Sequence, residues 1–238
     1  MIPESIDHVT TSWVSEVLQS DVRNIRRTQI GQGVGIMGDI FRIDLDHTDP
    51  STPRSVVVKL PSSWEKNRAQ GVALGMFEAE VKFYRELAQK VPVGLPYIHL
   101  AEIESGTANF IIVMEDLNVL TMVNQSDGVT LDQALMAVEV LAIVHSVWWD
   151  QADSEELAWI PNMIGPRIQF VDGLLLQVLE PFCNAFAEHL PPGGKEMFEA
   201  FAGNYVAINK TLANRSPWTL AHQDFRVENM LFGKDRFV

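Results

Sequence analysis

Cysteine is almost absent from this chain: Cys183 is the only one in 238 residues. A single thiol makes no internal disulfide and offers no zinc cluster. No neighbour in Leu179–Asn184 prepares it as a nucleophile, so it reads as a buried, inert thiol. Positive charge is also scarce, with 18 Lys and Arg against 31 Asp and Glu and a net charge of −13. A nucleic-acid binder needs a basic face, and that class is set aside. Acidity serves solubility first; a cationic substrate is a secondary reading. No apolar run approaches the roughly 20 residues of a membrane span. The first residues, Met1-Ile2-Pro3-Glu4-Ser5-Ile6-Asp7, have neither a basic segment nor an apolar core. No signal peptide, no membrane partner and a cytoplasmic location are the expectations. Repeats and low-complexity tracts are missing as well.

What remains is an ordinary globular composition, long enough for one large or two small domains. A short helix is expected from Thr11 to Ser20, capped by Ser12, and a strand from Ile25 to Ile30. Phe41, Ile43 and Leu45 alternate with Arg42 and Asp44, the mark of a half-buried strand over Asp39 to Leu45. Ser55 to Leu60 reads as a buried strand carrying a lysine. Glu78 to Gln89 has helical period and composition, ended by Pro92, Gly94 and Pro96. Ile98 to Ile103 and Phe110 to Met114 read as an antiparallel pair about Ser105-Gly106. Beyond them the pattern turns helical: Leu131 to Trp149, Arg167 to His189 and Lys195 to Asn214, the last two parted by Pro191-Pro192-Gly193-Gly194. The change from strand to helix near residues 115–130 is the best domain boundary.

Four features in chain order point to phosphoryl transfer, which needs phosphates held, charge neutralised and a hydroxyl aligned. Gly33-x-Gly35-x-x-Gly38 lets backbone N–H groups approach phosphates. The same pattern marks dinucleotide sites, but those open a helix, and here a strand follows. Lys59, after three valines, needs a partner if it is buried, and it fits the lysine that holds α- and β-phosphates. Glu78 and Glu80 on the next helix are candidate partners; Glu80, one turn before Phe83-Tyr84, is preferred. Last comes His222-x-Asp224-x-Arg226-x-x-Asn229. There an Asp orients or accepts the proton of the attacking hydroxyl and the Asn binds magnesium. Arg226 either neutralises charge on the transferred phosphoryl or bridges to Asp224 or Glu228. His222 reads as a group that orders the loop.

His222-x-Asp224-Phe225-Arg226-x-x-Asn229-x-Leu231-Phe232 resembles the aminoglycoside phosphotransferase and choline kinase-like superfamily, nearest its ecdysteroid kinase-like branch. Glu80-Val81-Lys82-Phe83-Tyr84 resembles that family's E-x-x-F-Y helix. Ile111-Ile112-Val113-Met114-Glu115-Asp116-Leu117 resembles its hinge. Leu141-Ala142-Ile143-Val144-His145-Ser146-Val147-Trp148-Trp149 resembles its W-W helix, where His145 and the tryptophans read as packing. The resemblance spans essentially the whole chain. It implies an α+β, protein kinase-like fold of two lobes: an antiparallel β N-lobe with one key helix, residues 1–117, and a mainly helical C-lobe, residues 118–238.

It also implies ATP and Mg2+ as cofactors and a small-molecule alcohol as acceptor. Asp224 and Arg226 would be catalytic. Gly33, Gly35, Gly38, Lys59, Glu80, Glu115 and Leu117 would meet the nucleotide, and Asn229 the metal. Two departures stand out. Gln223 occupies a position that is usually Gly. The family's second magnesium-binding Asp would fall beyond Val238, so the expected C-lobe is incomplete and the activity of the 238-residue chain is left open. The competing reading is a non-catalytic nucleotide-binding module. Acceptor identity and oligomeric state are not legible.

Overall fold

The computed structural model describes residues 2–31, 37–162, 164–215, 217–234 and 236–238. Gly33 and Gly35 lie outside the described residues. The chain forms two compact units, Met1–Val147 with Ala221–Val238, and Trp148–Leu220. The fold is α+β: a five-stranded antiparallel sheet in the N-terminal part, then a helical part, as a kinase-like fold requires.

The first unit is built on the sheet, with strand order β1-β2-β3-β5-β4. These strands are β1 (Val22–Ile30), β2 (Gly38–His47), β3 (Ser55–Pro61), β4 (Ile98–Ile103) and β5 (Phe110–Glu115). Side chains alternate between faces of a strand, and β3 shows the consequence. Val56, Val58 and Leu60 join a core with Val14 of helix α1 (Thr11–Leu18). Lys59 therefore points to the other face. There its register partner Ile112 packs with Phe77 and Val81 of helix α3 (Met76–Lys82). Phe77 stacks on Phe110 with ring centroids 4.8 Å apart.

Helix α2 (Glu65–Ala73) precedes α3. Its nine residues are mostly polar, so hydrophobic periodicity did not announce it. Gly71 is essential to its packing: a Cβ there would stand 2.2 Å from Phe77 Cζ. The helix expected over Glu78 to Gln89 is shorter as α-helix, giving way to a π-helical turn at Phe83–Leu87 and a 3-10 turn at Ala88–Lys90. The cap of α1 also differs from expectation. Thr10 Oγ1, not Ser12, accepts the N–H of Trp13, at 3.3 Å. Thr10 has the extended backbone an N-cap needs, while Ser12 is already helical.

After the sheet come β6 (Thr121–Met122), α4 (Leu131–Val147) and, from the end of the chain, β7 (Leu231–Phe232). β6 pairs with β7, and Ala137 of α4 packs on Met230 and Phe232. The loop at residues 222–229 thus rests on a small core of its own, filled in by Phe225 and Val227. The second unit holds α5 (Arg167–Ala185) and α6 (Gly194–Ala213), which pack on each other through Phe182 and Phe198, 5.6 Å apart. Trp148 is buried there and its Nε1 donates to Glu156 at 2.9 Å, whereas Trp149 is exposed. Cys183 is buried in α5. Among the described residues, no helix is long and apolar enough to cross a membrane.

Candidate active site

The face of β3 opposite the α1 core carries the first group. Lys59 Nζ lies 2.7 Å from both carboxylate oxygens of Glu80. Lys59 and Glu80 are only 22% and 31% exposed, so the pair is well shielded but reachable. Glu80 sits on α3 between the buried Phe77 and Val81, which bring it to the sheet. Glu78 is instead bound to Lys82, one turn on, and to Ser105. These partners hold its carboxyl below the usual range, Lys82 contributing most. Tyr84 packs in the same cluster. Burial drives its phenol well above the ordinary range, with the Glu80 carboxylate adding to the shift, so it stays neutral.

Gly38 opens β2 beside this pair. A Cβ on it would stand 2.9 Å from Leu60 O and 3.1 Å from Lys59 Cε. Glycine at this point lets the start of β2 lie close against β3 and Lys59.

At the end of β5, Glu115, Asp116 and Leu117 have definite partners. The Glu115 N–H donates to Tyr97 O at 2.8 Å. The Glu115 carboxylate accepts two hydrogen bonds from Arg236, which hold it below the usual carboxylate range. Asp116 accepts Ser55 Oγ at 2.6 Å and pairs with Arg42 at 2.9 Å. Leu117 O accepts the Leu120 N–H, which begins the turn towards β6.

The loop before β7 carries the second group. Asn229 Nδ2 donates to Asp224 at both its backbone O and Oδ2, each at 2.8 Å. That leaves Asn229 Oδ1 as an acceptor beside the Asp224 carboxylate. Arg226 Nε is 3.3 Å from Asp224 Oδ1, and its guanidinium also bonds Glu228. Of the two readings for Arg226, the geometry displays the bridge to both carboxylates. His222 Nδ1 accepts the N–H of Asp224 at 3.3 Å, and its ring meets Phe225 edge-on. Gln223 has φ of +66°, in the left-handed region. A residue with a Cβ is strained there, and the glycine that the resemblance leads one to expect would not be. Asp224 stands 65% exposed, free to meet a solute.

The structure brings Lys59, Glu80 and Gly38 together at one place, and Asp224, Arg226 and Asn229 at another. Sequence reasoning missed Arg236, Gly94, Arg42 and Gln125, whose Oε1 accepts Arg226 at 3.5 Å. Arg236 and Glu115 are 121 positions apart, and no local pattern announces such a pair.

The ecdysteroid kinase-like family matches residues 32–237. The chain belongs to that family. No curated protein matches it. The family is part of the kinase-like superfamily that includes the aminoglycoside phosphotransferases, and it is in general small-molecule kinase-like. The match runs from the glycine-rich turn through the hairpin after Asn229, so it takes in both residue groups described above.

Proposed function

We propose that the protein transfers the γ-phosphate of ATP to a hydroxyl of a small molecule. The observation that carries this reading is the Lys59–Glu80 pair, presented on a sheet face beside Gly38 in a chain of a kinase-like family. Lysine has three N–H donors. With two turned to Glu80, one is left for a phosphate oxygen, and Glu80 keeps the ammonium in place. Gly38 allows the phosphates to approach the same strand, and Gly33 and Gly35 would offer backbone N–H groups. Glu115 and Leu117 would border the adenine.

Asp224 takes the role of orienting the acceptor hydroxyl and receiving its proton. Arg226 holds one oxygen of that carboxylate, and Asn229 Nδ2 holds the other. Asn229 Oδ1 and Asp224 are hard oxygen donors, the type that suits Mg2+. Among the described residues no group of three or more His, Cys, Asp or Glu is placed to hold a metal ion by itself. A magnesium ion here would be held jointly with phosphate oxygens and water, as that ion commonly is. When bound, it would neutralise charge on the phosphates.

The test is transfer of labelled γ-phosphate from Mg-ATP to a panel of small alcohols, with Mg-ATP binding followed separately by calorimetry. Labelled product and saturable binding are expected. Saturable binding with no transfer to any alcohol would favour a non-catalytic nucleotide-binding module, and absence of both would overturn the reading.

A further inference from the structure

Arg236 makes the most demanding contact outside the two groups assigned above. Its guanidinium donates from two nitrogens to the two oxygens of Glu115, at 2.6 and 2.8 Å, and also to Leu95 O at 3.2 Å. A planar fork on a planar carboxylate fixes orientation as well as distance. The adjoining backbone is seated just as closely. A Cβ on Gly94 would lie 1.9 Å from Phe237 O, so the hairpin reaches this position only because residue 94 is glycine.

The described residues of the hairpin are hydrogen-bonded across it. Leu231 and Val238 exchange two backbone hydrogen bonds, at 2.7 and 3.0 Å, and the Gly233 N–H donates to Arg236 O at 2.8 Å. It begins two residues after Asn229, and its first strand, β7, pairs with β6. Arg236 therefore joins the end of β5, the stretch before β4, and the segment that carries the Asp224 loop. Successive residues at the end of β5 face opposite ways. Asp116 is anchored to the sheet through Arg42 and Ser55, while Glu115 is anchored to the hairpin.

We propose that Arg236 is a positioning residue: through Glu115, Leu95 and the seat on Gly94 it transmits the position of the hinge to Asp224 and Asn229. The role in turnover rests on the phosphotransfer reading above, whereas the mechanical link does not.

The experiment compares Arg236→Ala, Arg236→Lys, Glu115→Arg and the exchanged pair Glu115→Arg/Arg236→Glu by hydrogen exchange and by Mg-ATP kinetics. Breaking the fork should speed amide exchange across residues 222–232 about fivefold to tenfold, with β2 and β3 unchanged. Arg236→Lys keeps the charge without the fork and should fall in between. The exchanged pair should recover at least half of the protection. In turnover, kcat of Arg236→Ala should fall by a similar factor while its KM for Mg-ATP moves less than twofold, because Lys59, Glu80 and Glu115 all keep their side chains. Unchanged exchange in 222–232 for Arg236→Ala, or an exchanged pair no better than the worse single variant, overturns the proposal. Altered exchange with no transfer activity in any form, the wild type included, would leave the link standing and refute the phosphotransfer reading instead.

Discussion

Removing the charge of Lys59 is the most informative single perturbation of the proposed nucleotide site. Its ammonium is 2.7 Å from both Glu80 oxygens, with the two side chains 22% and 31% exposed. Two unit charges about 3 Å apart attract by roughly 5 kcal/mol at an effective dielectric of about 20, and by about 1.4 kcal/mol in water. Desolvating both partners takes back much of that gain. A net coupling of about 1–2 kcal/mol follows for a pair of this exposure. A double-mutant cycle of Lys59→Met and Glu80→Gln, followed by denaturant unfolding, should recover that coupling. The functional effects should be unequal. Lys59→Met deletes the group proposed to meet phosphate and should lower kcat/KM for Mg-ATP by about 100-fold, equivalent to about 2.7 kcal/mol. Glu80→Gln leaves the cation but frees it to swing, and should cost about tenfold. Calorimetry with Mg-ATP separates binding from turnover. If Lys59→Met kept both the affinity and the rate within twofold of the parent, the assignment of this strand face to phosphate would be refuted.

Gly71→Ala gains about 1 kcal/mol of helix propensity, yet its Cβ would meet the Phe77 ring at 2.2 Å. A net loss of about 1–2 kcal/mol in chemical unfolding is expected, and a gain in stability would contradict the α2–α3 packing. At Gln223, with φ of +66°, Gly should be tolerated at no loss, while Val should cost about 1–2 kcal/mol because a β-branched residue resists the left-handed region; a Val variant as stable as the parent would sink this account of the loop. Glu115 faces Arg236, His99 and the Tyr97 N–H. Arg236 is the foremost cause of its lowered pKa. A lowered folded pKa adds stability that is present above the unfolded value and lost as pH falls through the folded one. The stability gap between the parent and Glu115→Gln should therefore be full at pH 7 and shrink below about pH 4.5. A gap that grew on acidification would have the wrong sign.

The strands were legible because their patterning is strong. Ile98–Ile103 is found at its expected bounds, and Ser55–Pro61 and Phe110–Glu115 run only one residue past their expected ends. The Lys59–Glu80 pair was legible for a related reason. A charge among valines demands a partner, and period two decides which face of the sheet supplies it. Helix α2 was missed because its residues are polar and lack a stripe; it is held by the fit of Gly71 against Phe77, a contact that no propensity reports. The cap of α1 was misplaced by two residues because Thr10 and Ser12 are both competent caps, and only backbone conformation separates them. Gln223 was noted as a departure from glycine, but its left-handed backbone became visible only in three dimensions. The Arg236–Glu115 fork and the Gly94 seat were illegible for the plainest reason: their partners meet across half of the chain or more.

The central claim is that the Asp224 carboxylate serves a hydroxyl acceptor of ATP phosphate. The most direct measurement is labelled γ-phosphate transfer by Asp224→Asn beside the parent protein, with Mg-ATP affinity measured on the same samples. This substitution retains size and an acceptor oxygen but cannot take a proton at pH 7. The account predicts a fall in transfer of about 1000-fold or more with affinity for Mg-ATP kept within about threefold. Transfer by Asp224→Asn at a rate close to that of the parent would contradict it.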